Sequence, residues 1–243
     1  MELMSIILFG LVVLLTHFLE GITGFGCTVL ALPFCIMLVG IKTAVPTLII
    51  LAWILALYIV VIAFKDILWK EFLRIIIYVL LGLPFGIWLF SRMPEGILKR
   101  ILAVFMILVS IRGLYVSYKG GISSLKIPKP LLNLVLFLGG IIHGAFGTGG
   151  PFVVIYATKA IPNKNNFRAT LCLLWLSLNT VIIVRNIVDG IISPSVVNLL
   201  LWTIPFLAGG MLLGNMVHNK VKDTIFVRIV YSVLLFSGIF MFV

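Results

Sequence analysis

Two glycine-rich runs carry the residue types best suited to hold a small anion. Gly24-Phe25-Gly26 and Gly147-Thr148-Gly149-Gly150 each separate two apolar stretches. Glycine lets a backbone turn sharply and approach a ligand closely. A helix that starts after such a break presents unpaired N–H groups and the positive end of its dipole to the break. Two such ends could hold an anion without a charged side chain, with added contacts from Cys27, Thr28 and Thr148.

The same glycines have a second interpretation. Small residues allow helices to pack closely in membranes, and the two runs could serve packing alone. Because both runs break at equivalent places in two similar halves of the chain, we favour a substrate-binding site.

Three titratable residues precede the runs: His17, Glu20 and His143. Glu20 is the only carboxylate more than a few residues from a loop, where an unpaired charge is costly. It could carry a proton, contact the backbone of the first break or lie at a watery opening. His143 precedes Gly144 as Glu20 precedes Gly21, so His143 is a candidate substrate contact. His17 is a second candidate for proton coupling, or an ordinary interior histidine.

Further polar and aromatic residues are candidates for the site. Arg168 opens an apolar segment past the second run and could pair with an anion, or anchor the chain at the interface. Asn179 and Thr180 lie within a span and need partners there, either at the site or on a neighbouring helix. Trp53 and Trp175 occupy matching places in the two halves, and we expect them to pack rather than to line the site.

Absent motifs argue against other chemistry. The chain has no H-E-x-x-H sequence and no P-loop. Asp66, Asp189 and Asp223 lie at segment ends, and the three cysteines lie in apolar stretches without metal-ligand spacing. We therefore predict no enzyme activity, no metal and no cofactor. Transport would be driven by an ion gradient or by the gradient of the substrate itself.

The elements that position these residues are membrane helices. The chain has 243 residues, of which 63% are hydrophobic and 10% charged. Its apolar runs are continuous rather than alternating, which favours helices over barrel strands in a bilayer. The net charge of +11 does not indicate nucleic-acid binding, because the basic residues lie singly or in small groups in short loops.

The apolar segments form a duplicated series. The second half follows the first at an offset of about 122 to 124 residues, which pairs Trp53 with Trp175 and Leu83–Gly86 with Leu207–Gly210. We predict a first membrane repeat over 1–120, a cytoplasmic linker over 121–130 and a second repeat over 131–243. The expected segments are 3–20, 27–39, 44–64, 72–91, 97–118, 131–145, 150–161, 168–187, 195–216 and 225–243.

The second segment of each half is too short to cross a bilayer. As helices, 27–39 and 151–161 would span about 20 and 16 Å, against about 30 Å of hydrocarbon. We therefore predict an all-α integral membrane protein in which each half is a helical hairpin or broken helix plus three transmembrane helices. Three crossings per half give two inverted repeats. The alternative is ten ordinary spans with tight turns at the surface.

The basic residues predict the topology. Twelve lie on one side and five on the other, which puts the first group in the cytoplasm and both termini outside the cytoplasmic membrane. The first group is Lys65, Lys70, Arg74, Lys119, Lys126, Lys129, Lys159, Lys164, Arg168, Lys220, Lys222 and Arg228, and the second is Lys42, Arg92, Lys99, Arg100 and Arg185.

The two glycine-rich motifs resemble those of a known family. Gly21 to Pro33 looks like the first signature of the sulfite exporter/sulfonate permease family (TauE/SafE-like), and Gly147 to Tyr156 with Asn166 to Leu171 looks like the second. The resemblance implies transport of small sulfur-containing anions, with ion coupling. Alternatives are a passive anion channel and a non-transporting membrane subunit or sensor. A homodimer is also considered, with Gly209, Gly210 and Gly214 as contacts or as internal packing.

Overall fold

The computed structural model describes residues 3–118, 128–161 and 163–218, together with 231, 232, 235, 238 and 239. The predicted segment 225–243 lies almost wholly outside the described residues, as do most of the linker and the basic residues Lys119, Lys126, Lys220, Lys222 and Arg228. The described helices are α1 (Leu3–Thr23), α2 (Cys27–Val39), α3 (Ile41–Ile62), α4 (Trp69–Arg92), α5 (Glu95–Tyr118), α6 (Lys129–Phe146), α7 (Gly150–Ala160), α8 (Lys164–Val188) and α9 (Pro194–Val217), with a 3₁₀ turn over Phe64–Asp66.

Within the described ranges the fold is all-helical, and six helices are long and apolar enough to cross a membrane: α1, α3, α4, α5, α8 and α9. The predicted all-α integral membrane class is confirmed. Large apolar side chains are exposed along one face of α4 at helical spacing, as a lipid-facing surface requires. They are Leu73, Ile77, Leu81, Phe85 and Trp88.

Two helices of the described chain are much shorter. The 13 residues of α2 and the 11 residues of α7 reach about 20 and 16 Å, so neither crosses a bilayer alone. Each follows a glycine-rich break and returns beside the helix that precedes it. The short segments therefore lie where the sequence predicts them.

Helices α8 and α9 have a side-chain cap at their N-terminus, whereas the helices that follow the two breaks do not. Asn163 accepts hydrogen bonds from the N–H groups of Asn165 and Asn166 at the start of α8, and Ser193 caps α9. The residues before α2 and α7 are Gly26 and Gly149, which have no side chain to donate or accept. The first N–H groups of α2 and α7 therefore need partners from elsewhere in the chain.

Helices α1 and α9 run side by side in the same direction with almost no gap. A side chain at Gly210 would collide with the carbonyl oxygen of Leu14, and one at Gly214 with that of Phe18. Small residues permit this close approach of backbones. Gly210 and Gly214 of α9 therefore form packing contacts within one chain, and the homodimer stays a prediction.

Helices α4 and α6 form a second parallel pair with the same contact. A side chain at Gly82 would collide with the carbonyl oxygen of Phe137, and one at Gly86 with that of Ile141. The residues contacted in the two pairs are 123 positions apart, Leu14 with Phe137 and Phe18 with Ile141. Equivalent contacts therefore match Gly82 of α4 with Gly210 of α9, and Gly86 with Gly214. This register differs by four residues from the alignment expected above, which pairs Gly86 with Gly210.

Between the two pairs, α3 and α8 pack against each other across the middle of the fold. Trp53 Nε1 donates to Thr180 Oγ1 at 2.8 Å across this contact. The start of α8 is tied to the α3–α4 turn, where Asn166 donates to the carbonyl of Asp66 at 2.7 Å. The breaks after α1 and α6 reach this central layer. The domain boundaries and the inverted orientation of the two halves stay predictions.

Candidate functional site

The first break ends α1 with a glycine in the left-handed region. Gly24 has φ +81°, and its N–H donates to the carbonyl of Glu20 at 2.7 Å. Gly26 follows with φ +104°, and α2 begins at Cys27. Left-handed conformations are costly for residues with a Cβ, so glycine at both places is a requirement of the turn.

The side chain of Glu20 folds back onto the helix that follows the break. Its Oε2 accepts the backbone N–H of Cys27 at 2.7 Å, and the residue is only 3% exposed. Glu20 therefore closes α1 with its carbonyl and caps α2 with its carboxyl group. The contact of Glu20 with the backbone of the first break, one of the alternatives open from the sequence, is observed, and its role in proton coupling stays a prediction.

The second break has the same construction. Gly147 has φ +68°, and its N–H donates to the carbonyl of His143 at 2.7 Å. The His143 ring then accepts the N–H of Gly149 on Nδ1 at 3.3 Å. Because Nδ1 is the acceptor, Nε2 carries the proton and donates to Asn179 Oδ1 at 3.0 Å. The ring is also stacked on Trp175, with centroids 5.3 Å apart.

A cavity of about 20 Å³ lies where the two breaks meet, with room for about one water molecule. Its lining comes from both breaks and from the central layer. The first break supplies Glu20, Gly26, Thr28 and Val29, the second supplies His143, Gly147, Thr148, Gly150 and Pro151, and the central helices supply Ala52, Trp175 and Asn179.

Among the described residues that line this cavity, one buried side-chain polar atom has no partner. The hydroxyl of Thr148 is buried and makes no hydrogen bond, and the residue is 3% exposed. A buried hydroxyl without a partner costs about 1–3 kcal/mol, so its placement needs a reason. Two other buried side-chain atoms in the described chain lack partners, His17 Nε2 and Arg168 Nε, but neither residue lines the cavity.

Arg168 lies behind the first break rather than in the cavity. Its backbone packs against Gly24, and its Nη2 donates to Asn215 Oδ1 at 2.9 Å. Asn215 in turn donates to the hydroxyl of Tyr58 at 3.3 Å. The guanidinium is buried at the cytoplasmic end of α8 by the predicted topology, outside the lining of the cavity.

Other predicted residues also lie beside the cavity instead of in its wall. Gly24, Phe25, Cys27 and Gly149 form the breaks without lining the cavity. His17 lies one turn before Glu20, and its Nδ1 donates to the carbonyl of Val13 at 2.9 Å. The predicted residues that the structure brings together are Glu20, Gly26, Thr28, His143, Gly147, Thr148, Gly150 and Asn179.

Sequence reasoning undervalued Trp175. Its Nε1 donates to the carbonyl of Gly24 at 3.0 Å, while its ring stacks on His143, so it touches both breaks. The repeat pairs it with Trp53, but Trp53 bonds Thr180 instead and does not line the cavity. The sequence did contain one signal for this role: Trp175 lies in the middle of a span, where its indole N–H needs a buried acceptor. The cavity is also lined by three apolar residues that carry no such signal in the sequence: Val29, Ala52 and Pro151.

The chain was compared with known proteins at three levels. Neither the curated proteins nor the solved structures contain a match. The sequence model of the family described as "Sulfite exporter TauE/SafE" matches residues 8–241, nearly the whole chain. Together with the six helices able to cross a membrane, this match shows a multi-pass membrane protein that belongs to the TauE/SafE family of sulfite exporters.

Proposed function

We propose that this chain is a secondary carrier that moves a small sulfur-containing oxyanion across the cytoplasmic membrane by alternating access. The cavity between the two breaks is the proposed substrate site. The observation that carries the proposal is that both breaks, 123 positions apart at Gly24 and Gly147, build one cavity that contains an unpartnered hydroxyl. Membership of the family supports an anion of the sulfite or sulfonate type.

The cavity offers donors of the kind an oxyanion needs. Residues Thr28 and Val29 belong to the first turn of α2, whose N–H groups have no acceptor within the helix. Gly150 starts α7, and Thr148 adds its hydroxyl. A sulfonate or sulfite carries three oxygens on one sulfur atom and can accept from donors on both sides. Among the described residues no lysine or arginine lines the cavity, so backbone dipoles would provide the favourable charge.

The size of the cavity supports alternating access. A space for about one water molecule is smaller than an anion of four or more heavy atoms, so binding requires the walls to move. The α1/α9 and α4/α6 pairs are packed backbone to backbone at several positions along each helix. By contrast, α2 and α7 follow turns at glycines with positive φ, and α7 has such a backbone contact with α6 only at its start, where Gly149 lies on the carbonyl of Gly139. We therefore infer that α2 and α7 move relative to the two pairs, which open to opposite sides in turn.

Counterflow in proteoliposomes tests the proposal. Radiolabelled sulfite and radiolabelled ethanesulfonate would be exchanged against unlabelled anion by the wild type, Thr148→Val and Thr203→Val. Valine has the shape of threonine without its hydroxyl. Thr203 is the matched control, because it is equally buried but donates to Leu199 O within α9.

We expect Thr148→Val to bind the exchanged anion about ten- to a hundredfold more weakly, because a hydrogen bond to a charged group contributes about 1.5–3 kcal/mol. Thr203→Val should match the wild type. Correctly inserted wild type that exchanges neither anion contradicts the proposal and favours a non-transporting subunit. A steady current of anions in planar bilayers, with no counterflow, favours a channel.

A further inference from the structure

We propose that Glu20 couples transport to protons: its carboxylate occupies the α2 end of the site, and a transported anion binds only when Glu20 carries a proton. The inference rests on the proposed function, since it concerns the same cavity. It identifies the coupling ion and a stoichiometry of one proton per anion.

Glu20 already uses part of the anion site. Its Oε2 accepts the N–H of Cys27 at 2.7 Å, which is the kind of donor that a bound anion would use at a helix start. Glu20 lines the same cavity as Thr148, whose buried hydroxyl has no partner. An ionised Glu20 is therefore an internal competitor of the substrate.

The Glu20 carboxylate has no ion-pair partner among the residues that the structure describes. In the described part of the chain, no lysine, arginine or histidine lies within 4.0 Å of Glu20 as an ion-pair partner. The charged and titratable groups around it are the thiols of Cys27 and Cys172, His17 on the same helix, His143 across the cavity, and Arg168, Tyr58 and His218 beyond the break. Arg168 is engaged with Asn215, and His143 accepts an N–H on Nδ1 and therefore has a neutral ring.

Two anions cannot share so small a cavity. Unit charges about 4 Å apart repel each other strongly enough, at an effective dielectric constant of about 20, to weaken binding on the order of a thousandfold. Protonation removes this repulsion and has a second effect. A carboxylate is only an acceptor, but a carboxylic acid also donates one O–H. The protonated side chain can keep the Cys27 N–H on its carbonyl oxygen and donate its hydroxyl to the anion.

The cycle balances without another co-reactant. A proton from the open side binds the Glu20 carboxylate, the anion enters, and the loaded site opens to the other side. There the anion leaves and the carboxyl group releases its proton to water. A monovalent sulfonate and one proton cross together, so the complete cycle moves no net charge and accumulation of the anion should not respond to membrane potential.

The test uses proteoliposomes with the wild type, Glu20→Gln and Glu95→Gln. Glutamine keeps the shape of glutamate and an oxygen for the Cys27 N–H, but it never ionises. Glu95 is the control, because it is an exposed carboxylate in the first turn of α5 and lies outside the cavity. Ethanesulfonate is the first probe, since a sulfonate stays ionised at every pH of the assay, and sulfite is the second.

For the wild type we expect an inside-alkaline pH gradient to drive accumulation of the anion. Its apparent affinity should fall by about tenfold per pH unit once Glu20 ionises, which is the limit for one bound proton. In Glu20→Gln the apparent affinity measured by counterflow should no longer vary with pH, and accumulation driven by the gradient should be lost. Glu95→Gln should behave as the wild type does.

A second measurement needs no variant. A pH-sensitive dye inside wild-type vesicles should report one proton taken up with each anion that enters. Gradient-driven accumulation by Glu20→Gln at the wild-type level overturns the proposal, as does anion uptake without proton uptake. Loss of pH dependence in His143→Gln, with its retention in Glu20→Gln, transfers the role to His143.

The failures of the two proposals are distinguishable. A wild type that exchanges neither anion at any pH contradicts the proposed function itself. A wild type that exchanges an anion equally well at all pH values leaves the carrier intact and overturns only the role of Glu20.

Discussion

Glu20 and His143 make the same pair of contacts at the two breaks. Each ends its helix by accepting a glycine N–H on its main-chain carbonyl at 2.7 Å, from Gly24 and Gly147 respectively. Each then folds its side chain onto the next helix start, to accept the N–H of Cys27 or of Gly149. One position in each half therefore shapes the break and caps the helix beyond it.

The chemical difference between these two residues makes the site asymmetric. Glu20 brings an acidic group, whereas His143 brings a ring whose proton is committed to Asn179. The helix starts differ as well, because Pro151 removes one N–H from the first turn of α7. Donors at the second break thus come from Gly150 and from the Thr148 hydroxyl. These unlike side chains are what the proposed joint binding of an anion and a proton requires.

Gly82→Ala tests the close contact of α4 with α6. The new methyl group would meet the carbonyl of Phe137, and the helices would have to separate. We expect a loss of about 1–3 kcal/mol in stability, seen as a lower melting temperature in detergent. Gly96→Ala is the control, because nothing lies near that position in α5. Equal melting temperatures for the two variants would contradict the packing described here.

Gly147→Ala tests the left-handed turn at the second break. Alanine in this conformation costs about 1–2 kcal/mol, and its methyl group would also press on Ile49. Gly40→Ala is also strained, at φ +76° and ψ 160°, a conformation that is nearly exclusive to glycine, but its methyl group would meet nothing within 4 Å. We expect both variants to melt earlier, and only Gly147→Ala to bind the anion more weakly in counterflow assays. A similar loss of affinity in Gly40→Ala would show that general instability is responsible.

Trp175→Phe tests the link between the two breaks. Phenylalanine keeps a ring beside His143 but loses the bond to the Gly24 carbonyl, which contributes about 0.5–1.5 kcal/mol. We expect up to about tenfold weaker anion binding. Trp53→Phe is matched, since it loses a comparable bond to Thr180 outside the cavity. It should leave the affinity unchanged, and a drop of equal size would argue against a special role for Trp175.

The breaks and the short helices were predictable from sequence because their causes are local. Glycine content sets where α1 and α6 end, and segment length shows that α2 and α7 cannot span a bilayer. Which side chains turn back to cap a break depends on tertiary packing. Sequence reasoning therefore kept several roles open for Glu20 and rated Arg168 above Trp175. Two observations follow from how α8 packs. Arg168 is buried against Gly24 and Asn215, and Trp175 donates a hydrogen bond to the Gly24 carbonyl.

The predicted topology can be tested by labelling single introduced cysteines from one side of the membrane. The native cysteines Cys27, Cys35 and Cys172 are buried, so a membrane-impermeant maleimide should label them poorly. Glu95 and Lys65 are exposed at opposite ends of the long helices. Because we predict that the larger group of basic residues lies in the cytoplasm, we expect Glu95→Cys to be labelled in intact cells and Lys65→Cys only after permeabilisation. The reverse pattern would invert the topology and exchange the sides from which the two breaks enter the membrane. Labelling of both positions in intact cells would mean that α4 does not cross the bilayer.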